Sequence, residues 1–240
     1  MQIIIKVHVC IFIFVSQLSL AQEYNYYKNT NFEKHKMNNQ NLLSQKNNQD
    51  RVVFMGNSIT ESWPLKHPAF ATENKNYTWR GISGQTTSQM LLRFKKDVVA
   101  HEPKAVVILA GINDLAQNSG YTTIEQISEN IKTMAELADY NGITVILCSV
   151  LPAFDFPWRR GLEPAQKVIE LNKILKVYTK EKGFAYVDYH SAMKDEKNGL
   201  KVPEYTSKYD LVHPNKAGYI VMEKIIQPVI ENVVSNKKNK

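Results

Sequence analysis

The segment Val52-Val53-Phe54-Met55-Gly56-Asn57-Ser58 gives the clearest indication of the fold. In it an apolar run is followed by a glycine and, two residues later, by a serine. The run does not alternate between apolar and polar residues, as a strand with one wet face would. Continuous apolar runs are typical of strands that are covered on both faces. We therefore predict a central strand, with Gly56 allowing a tight turn and Ser58 just beyond the strand's carboxyl end.

Further apolar runs and helical patterns repeat this organisation along the chain. The other strand candidates are residues 77–82, which form the weakest run, 105–110, 143–150 and 184–187. The helix candidates are residues 123–140, 164–182 and about 216–234, the last with Pro228 as a predicted kink or break. This alternation predicts an α/β fold, with a central parallel sheet of about five strands and helices on both faces. Such folds bind ligands at the carboxyl ends of their strands.

Length and charge restrict the function classes. The chain has 240 residues, 43% of them apolar, which is enough for one core, and we place that domain at residues 51–236. Residues 22–50 are predicted as a polar lead-in outside the main core. The formal net charge is +7, but the basic residues are scattered apart from a short run at residues 237–240. Because no basic stripe carries interleaved aromatic residues, we predict no nucleic-acid partner. The sequence does not indicate the oligomeric state.

The first 21 residues have the pattern of a secretory signal peptide. Lys6 precedes an almost entirely apolar run over residues 7–20, and Ala21 follows it. We predict cleavage after Ala21 and an exported protein, periplasmic or secreted. A single membrane anchor is the alternative, but the run is short for a stable span, so we predict no stable anchor. Cleavage would leave Cys148, in an apolar run typical of a buried, unreactive thiol.

A candidate nucleophile lies in the segment Gly56-Asn57-Ser58-Ile59-Thr60. Thr60 stands where G-x-S-x-G has its second glycine, so the nucleophile elbow of the α/β-hydrolases is not indicated. Taken alone, a serine after a strand is more often a helix cap than a nucleophile.

A candidate base lies in the segment Tyr209-Asp210-Leu211-Val212-His213-Pro214-Asn215. His213 is the histidine with a carboxylate three positions earlier, and within one turn that carboxylate can reach Nδ1. The contact would fix the tautomer and leave Nε2 free to take a hydroxyl proton. An ordinary turn before a helix is the alternative. The other five histidines have weaker contexts: His8 in the predicted signal peptide, His35 in the lead-in, His101 at a predicted exposed helix end, His190 after a strand and His67 in a loop near Ser58.

Two further motifs follow predicted strands. Gly84 lies in Gly-Ile-Ser-Gly-Gln-Thr-Thr at residues 81–87, where a glycine lets a backbone N–H approach a substrate oxygen. Asn113 lies in Gly-Ile-Asn-Asp at residues 111–114, where an amide N–H can donate to a developing oxyanion. Each motif alone is ordinary turn chemistry. Their occurrence at the ends of successive strands favours one shared site.

The ordered blocks with Ser58, Gly84, Asn113 and His213 resemble those of the SGNH or GDSL hydrolases, from residue 51 to the last helix. The resemblance implies a three-layer, flavodoxin-like α/β/α fold, a catalytic triad of Ser58, His213 and Asp210, and no metal or other cofactor. It also implies an oxyanion hole made by the N–H groups of Ser58 and Gly84 and the side chain of Asn113. One residue departs from the family name, which has Asp before the serine: Asn57 keeps the shape without the charge, and we expect activity to persist.

The substrate class is less directly indicated than the chemistry. Residues 151–160 follow a strand, and there Trp158 beside Arg159 could stack on a sugar ring and bond its hydroxyls. The alternative is that the aromatic residues anchor a long loop to the core. Exported members of the family resemble carbohydrate O-acetylesterases, including acetylxylan esterases, so we predict an acylated small molecule or polysaccharide as substrate. A lysophospholipase or thioesterase of the same fold, and a non-catalytic carbohydrate-binding protein, are the rival interpretations.

Overall fold

The computed structural model describes residue 31, residues 33–44 and residues 50–236. The predicted signal peptide and the basic run at residues 237–240 lie outside these ranges. The strands are β1 (Val52–Gly56), β2 (Tyr77–Gly81), β3 (Ala105–Leu109), β4 (Thr144–Cys148) and β5 (Ala185–Val187). The helices are α1 (Lys36–Ser44), α2 (Ser58–Lys66), α3 (Pro68–Glu73), α4 (Thr87–Asp97), α5 (Ile112–Leu115), α6 (Ile124–Tyr140), α7 (Pro164–Lys182), α8 (Tyr189–Met193) and α9 (Lys216–Asn236), and a 3₁₀ turn spans Val99–His101.

Within the described residues, the five strands form one sheet in the order β2-β1-β3-β4-β5, and all neighbouring pairs are parallel. Every residue of β1 and β3 is buried, as expected for strands covered on both faces. Helices α4, α6 and α7 pack side by side in one layer, and α2 and α9 pack together in the other. The predicted three-layer α/β/α fold is confirmed.

The strand order reverses direction between β1 and β3. The chain runs outward from β1 to β2 and then returns to the other side of β1 as β3. The connections that leave β1 and β3 therefore diverge and open a crevice at the carboxyl edge of the sheet. Gly56 and Leu109, the last residues of these two strands, are directly paired. Ser58 and Asn113 consequently follow neighbouring strand ends.

Local sequence signals explain where the longer helices begin and end. Thr123 caps α6 by accepting the N–H of Gln126 at 3.2 Å, and the Gln126 side chain accepts the N–H of Thr123 at 3.1 Å. Helix α7 begins at Pro164 and ends before Gly183, whose φ of +71° suits a glycine C-cap. Helix α9 continues through Pro228, so the chain does not break there.

The N-terminal helix changes one prediction about the surface. Helix α1 packs on the 3₁₀ turn at Val99–His101, and Asn39 of this helix is buried. His101, predicted at an exposed helix end, is instead 6% exposed, and its Nε2 lies 3.0 Å from Asn39 Oδ1. The described part of the polar lead-in therefore lies against the domain.

Two further observations concern the described ranges alone. The thiol of Cys148 is buried, as predicted, and burial raises its pKa to about 12. Among residues 33–44 and 50–236, no helix combines the length and apolar character needed to cross a membrane.

Candidate active site

Ser58 lies at the first residue of α2, directly after β1. Asn57 caps this helix, because its Oδ1 accepts the N–H of Ile59 at 3.0 Å. The local bonding expected of an Asp at this position is therefore retained by Asn57. The hydroxyl oxygen of Ser58 lies 2.8 Å from Nε2 of His213, although 155 residues separate the two in sequence.

His213 is held by a turn that contains its own carboxylate partner. Nδ1 of His213 lies 2.8 Å from Oδ1 of Asp210. The same oxygen accepts the backbone N–H groups of Val212 at 3.2 Å and of His213 at 2.8 Å. Since an ionised carboxylate can only accept, Nδ1 carries the proton and Nε2 presents its lone pair toward Ser58. The arrangement can therefore take a proton from the serine hydroxyl.

Gly84 lies in the turn after β2 and has a φ of +76°, which favours glycine. No heavy atom lies within 4 Å of the position that a Cβ would occupy there, so the peptide is open to an approaching ligand. Asn113 is buried in α5, and its amide Nδ2 donates to the carbonyl oxygen of Gln85 at 3.0 Å. Asn118 donates to the carbonyl oxygen of Gly84 at 3.3 Å. The structure thus brings the Gly84 and Asn113 motifs together.

Asp114 joins the same two motifs through a set of bonds that sequence reasoning missed. Its carboxylate accepts the Thr87 N–H at 3.1 and 3.0 Å and the Thr87 hydroxyl at 2.6 Å, at the start of α4. Burial raises the pKa of Asp114 to about 6, although the bonds from Thr87 act to lower it. Its position directly after Asn113 was a signal, but nothing in the sequence pointed to Thr87 as the partner.

Arg93 is a second residue that the sequence did not single out. This side chain is almost fully buried and donates to the carbonyl oxygens of Gly56 and Arg80, both at 2.9 Å. It also donates to Gln85 Oε1 at 2.6 Å and to Asp97 Oδ2 at 2.8 Å. Arg93 therefore ties the carboxyl ends of β1 and β2 to the turn that contains Gly84. An arginine within a helix normally indicates a solvated face, which is why the pattern concealed it.

The predicted substrate-binding pair lies at the rim of the site. The Trp158 ring is 48% exposed, and its centroid lies 6.2 Å from that of the His213 ring and 5.4 Å from that of buried Phe156. Arg159 is exposed and donates to the carbonyl oxygen of Gln117 at 2.6 Å. The sequence suggested that the aromatic residues of this loop either anchor it to the core or stack on a sugar. Phe156 is buried and anchors the loop, whereas Trp158 is half-exposed beside His213.

His67, which the sequence placed in a loop near Ser58, has a partner in another helix. Nδ1 of His67 is 2.7 Å from Oε2 of Glu223, whose other oxygen accepts the indole N–H of Trp63 at 2.8 Å. His67 is therefore bonded within the α2–α9 layer, and among the described hydrogen bonds it has none to Ser58. Across the part of the chain that the structure describes, no cluster of three or more His, Cys, Asp or Glu residues is arranged to hold a metal ion.

Comparison with known proteins agrees with this fold. The model of the GDSL-like lipase/acylhydrolase family matches residues 54–221, a range that contains the four blocks with Ser58, Gly84, Asn113 and His213. The chain belongs to this family of hydrolases.

Solved structures extend the comparison. A candidate acylhydrolase from Bacteroides fragilis is 42% identical, with a TM-score of 0.81, over 85% of this chain and 98% of that one. A GDSL-like lipase from Bacteroides thetaiotaomicron is 44% identical, with a TM-score of 0.78, over the same shares. An acetylxylan esterase from Geobacillus stearothermophilus is 17% identical, with a TM-score of 0.60, over 75% of this chain and 94% of that one, which shows the fold alone.

A curated relative matches over a shorter stretch. A lipoprotein from Bacillus subtilis (strain 168) is 33% identical over 78 residues, which are 31% of this chain and 32% of that protein. The chain therefore aligns with about a third of the length of this relative.

Proposed function

We propose that the protein is an exported serine esterase that hydrolyses short-chain acyl esters, in particular acetyl esters of carbohydrates. In this proposal Ser58 is the nucleophile, His213 the general base and Asp210 the residue that orients it. The observation that carries the proposal is the chain of two 2.8 Å contacts from Ser58 Oγ through His213 to Asp210. These contacts lie at the carboxyl ends of the strands, and the chain belongs to a family of acylhydrolases, which supports the same chemistry.

The reaction would proceed through an acyl-enzyme. As Ser58 Oγ attacks the ester carbonyl carbon, His213 Nε2 takes the hydroxyl proton and a C–O bond forms. The carbonyl oxygen becomes an oxyanion, for which the N–H groups of Ser58 and Gly84 and the amide of Asn113 are the proposed donors. When the C–O bond to the alcohol breaks, His213 returns the proton to that alcohol. Water then attacks the acyl-enzyme by the same route and releases the acid and free Ser58.

The rim of the site supports a sugar-bearing substrate. The half-exposed ring of Trp158 lies beside His213 and packs near buried Phe156, so it offers an aromatic surface for stacking. Arg159 adds donors for hydroxyl groups. Phe154, on the same loop, and Tyr209, on the turn before His213, are 50% and 79% exposed. We assign Trp158 and Arg159 as the first candidates for carbohydrate contact.

We also propose that the protein is exported and that its chain is divided into three parts. Residues 1–21 would be removed as a signal peptide, residues 22–50 would form the lead-in, and residues 51–236 would form the hydrolase domain. Support comes from the charged start, the apolar run and the small residues before the cleavage point. The partial similarity to a lipoprotein is compatible with export.

The decisive experiment measures acetate release from a panel of acetylated polysaccharides by wild type and Ser58→Ala. We expect release by the wild type, and in Ser58→Ala a loss on the order of 10⁵-fold, because nucleophile and base act as a unit. Full activity in Ser58→Ala would disprove the mechanism.

Two further assays separate the rival functions. Comparing 4-nitrophenyl acetate with the octanoate and palmitate esters distinguishes an acetylesterase from a lysophospholipase or thioesterase, and a preference for the long chains would overturn the short-chain proposal. Labelling of Ser58 by a fluorophosphonate tests for an activated serine. Failure of wild type to label would favour a non-catalytic carbohydrate-binding protein.

A further inference from the structure

The turn after β2 needs external support to hold Gly84 in place. Gly84 is exposed, and the space beside its Cα is empty to 4 Å, so its own packing does not fix it. Its neighbour Ser83 provides the fixed point: the N–H and the hydroxyl of Ser83 both donate to Glu61 Oε2, at 2.6 and 2.7 Å. On this side of the turn, a carboxylate from another element therefore helps to hold the Gly84 peptide, whose carbonyl oxygen is bonded by Asn118.

Glu61 belongs to the helix that carries the candidate nucleophile. It lies in the first turn of α2, three residues after Ser58, and its backbone N–H donates to the carbonyl oxygen of Asn57 at 2.9 Å. A Cβ at Gly81 would lie 2.1 Å from the Glu61 backbone nitrogen, so glycine is required for α2 to approach β2 this closely. Through one side chain, Glu61 links the Ser58 N–H to the turn with the Gly84 N–H.

The second oxygen of Glu61 is bonded to Nζ of Lys34, which precedes the part of the chain that the family model matches. Burial acts to raise the pKa of Glu61, but the bonds from Lys34 and Ser83 outweigh it and lower the pKa, so the carboxylate is charged at neutral pH. The next residue, His35, reaches the same turn, with Nε2 at 3.3 Å from the carbonyl oxygen of Gly81. Two adjacent residues of the lead-in thus support the turn with Gly84.

We infer that Glu61 is a positioning residue for ester hydrolysis, and that Lys34 of the N-terminal segment holds it in place. Glu61 fixes the distance between two oxyanion donors, the N–H groups of Ser58 and Gly84, without touching the substrate. The inference rests on the proposed esterase function. The N-terminal segment, which lies outside the residues that the family model matches, would therefore influence the rate of the reaction.

The test measures kcat and KM for 4-nitrophenyl acetate together with Tm, on the full exported chain. We expect Glu61→Ala to lower kcat about 10-fold, less than full removal of an oxyanion donor, with KM within about twofold of wild type. Glu61→Gln should recover most of kcat, because its amide oxygen can still accept from Ser83. Lys34→Met should lower kcat by about threefold, since it releases Glu61 but leaves the bonds to Ser83.

The matched control is Lys36→Met, which removes the same charge from the same segment. Lys36 is paired only with exposed Glu33, at 2.7 Å among the described contacts, so its kcat should stay at the wild-type value. The inference is overturned if Glu61→Ala keeps wild-type kcat, if Lys36→Met loses as much as Lys34→Met, or if kcat falls only in step with the folded fraction. Ser58→Ala is assayed alongside: a wild type no more active than Ser58→Ala would instead overturn the proposed function, and this inference with it.

Discussion

The two sides of the candidate site are built in different ways. On the base side, the bonds that orient His213 come from Asp210, three residues earlier, and the two side chains remain 36% and 39% exposed. On the oxyanion side, the turn with Gly84 is held by buried Arg93 and Asn113 and by Glu61, which come from three helices. One side is a local turn, and the other depends on the assembled fold.

Because of this difference, we expect mutations on one side to remove a single contact and mutations on the other side to affect the surrounding fold as well. A change in the turn with His213 removes a contact but leaves the sheet and its helices in place. A change on the oxyanion side alters bonds that also join strands β1 and β2 through Arg93. We therefore expect mutations on the base side to lower kcat with little change in Tm, and mutations on the oxyanion side to lower both kcat and Tm.

Among the residues that set the two sides apart, Asp210→Ala should have the largest effect. It leaves Nδ1 of His213 without its partner, and we expect kcat to fall on the order of 10³- to 10⁴-fold with little change in Tm. Asp210→Asn should lose a similar amount, because an amide that still accepts the three N–H groups on Oδ1 no longer stabilises the imidazolium that forms. Steady-state kinetics and thermal unfolding check both variants.

Ser207→Ala is the control in the same turn. The Ser207 hydroxyl accepts the backbone N–H of Asp210 at 3.2 Å and has no described contact with His213. We expect kcat near wild type. An Asp210→Ala enzyme within tenfold of wild type would mean that another group, such as a backbone carbonyl, orients His213.

A smaller effect is expected from Asn113→Ala on the opposite side. Loss of one oxyanion donor should lower kcat on the order of 10²- to 10³-fold. Because the same amide bonds the carbonyl oxygen of Gln85, Tm should fall as well, in contrast to Asp210→Ala. Asn118→Ala is the control, since it removes a bond to the adjacent Gly84 carbonyl at 3.3 Å from a half-buried side chain that is not a proposed oxyanion donor. Equal losses of kcat in the two variants would contradict a special role for Asn113.

The same difference explains what could be predicted from the sequence. The strands were found because continuous apolar runs mark buried strands, and Asp210 was found because its partner lies three residues away. The bonds Arg93–Gly56 and Asp114–Thr87 join residues 37 and 27 positions apart. No periodicity in the sequence indicates such pairs, because they form only when α4 packs against the sheet. For the same reason His101 was predicted as exposed, although α1 covers it.

The smallest effect should be the response of stability to acid. Burial lowers the pKa of both His35 and His101 from 6.5 to about 4, with nearby arginines adding to the shift. As the pH falls from 6.5 toward 4, the unfolded chain takes up protons that the folded form excludes, so these histidines lower stability toward acid. Asp114 acts in the opposite direction, because its raised pKa lets the folded form bind a proton between about 6 and 3.8.

His190, whose pKa is also lowered by burial, acts in the same direction as the two histidines and against Asp114, so we expect Tm to be lower at pH 4.5 than at pH 7. In the double variant His35→Gln/His101→Gln this fall should shrink, since neither side chain can then be protonated, while Asp114 is unchanged. Thermal unfolding at the two pH values checks the prediction. An identical fall of Tm in the double variant would place the acid sensitivity elsewhere. A smaller fall, with kcat at pH 7 retained, would locate it at the contacts of the N-terminal segment, where His35 lies against Gly81 and His101 against Asn39.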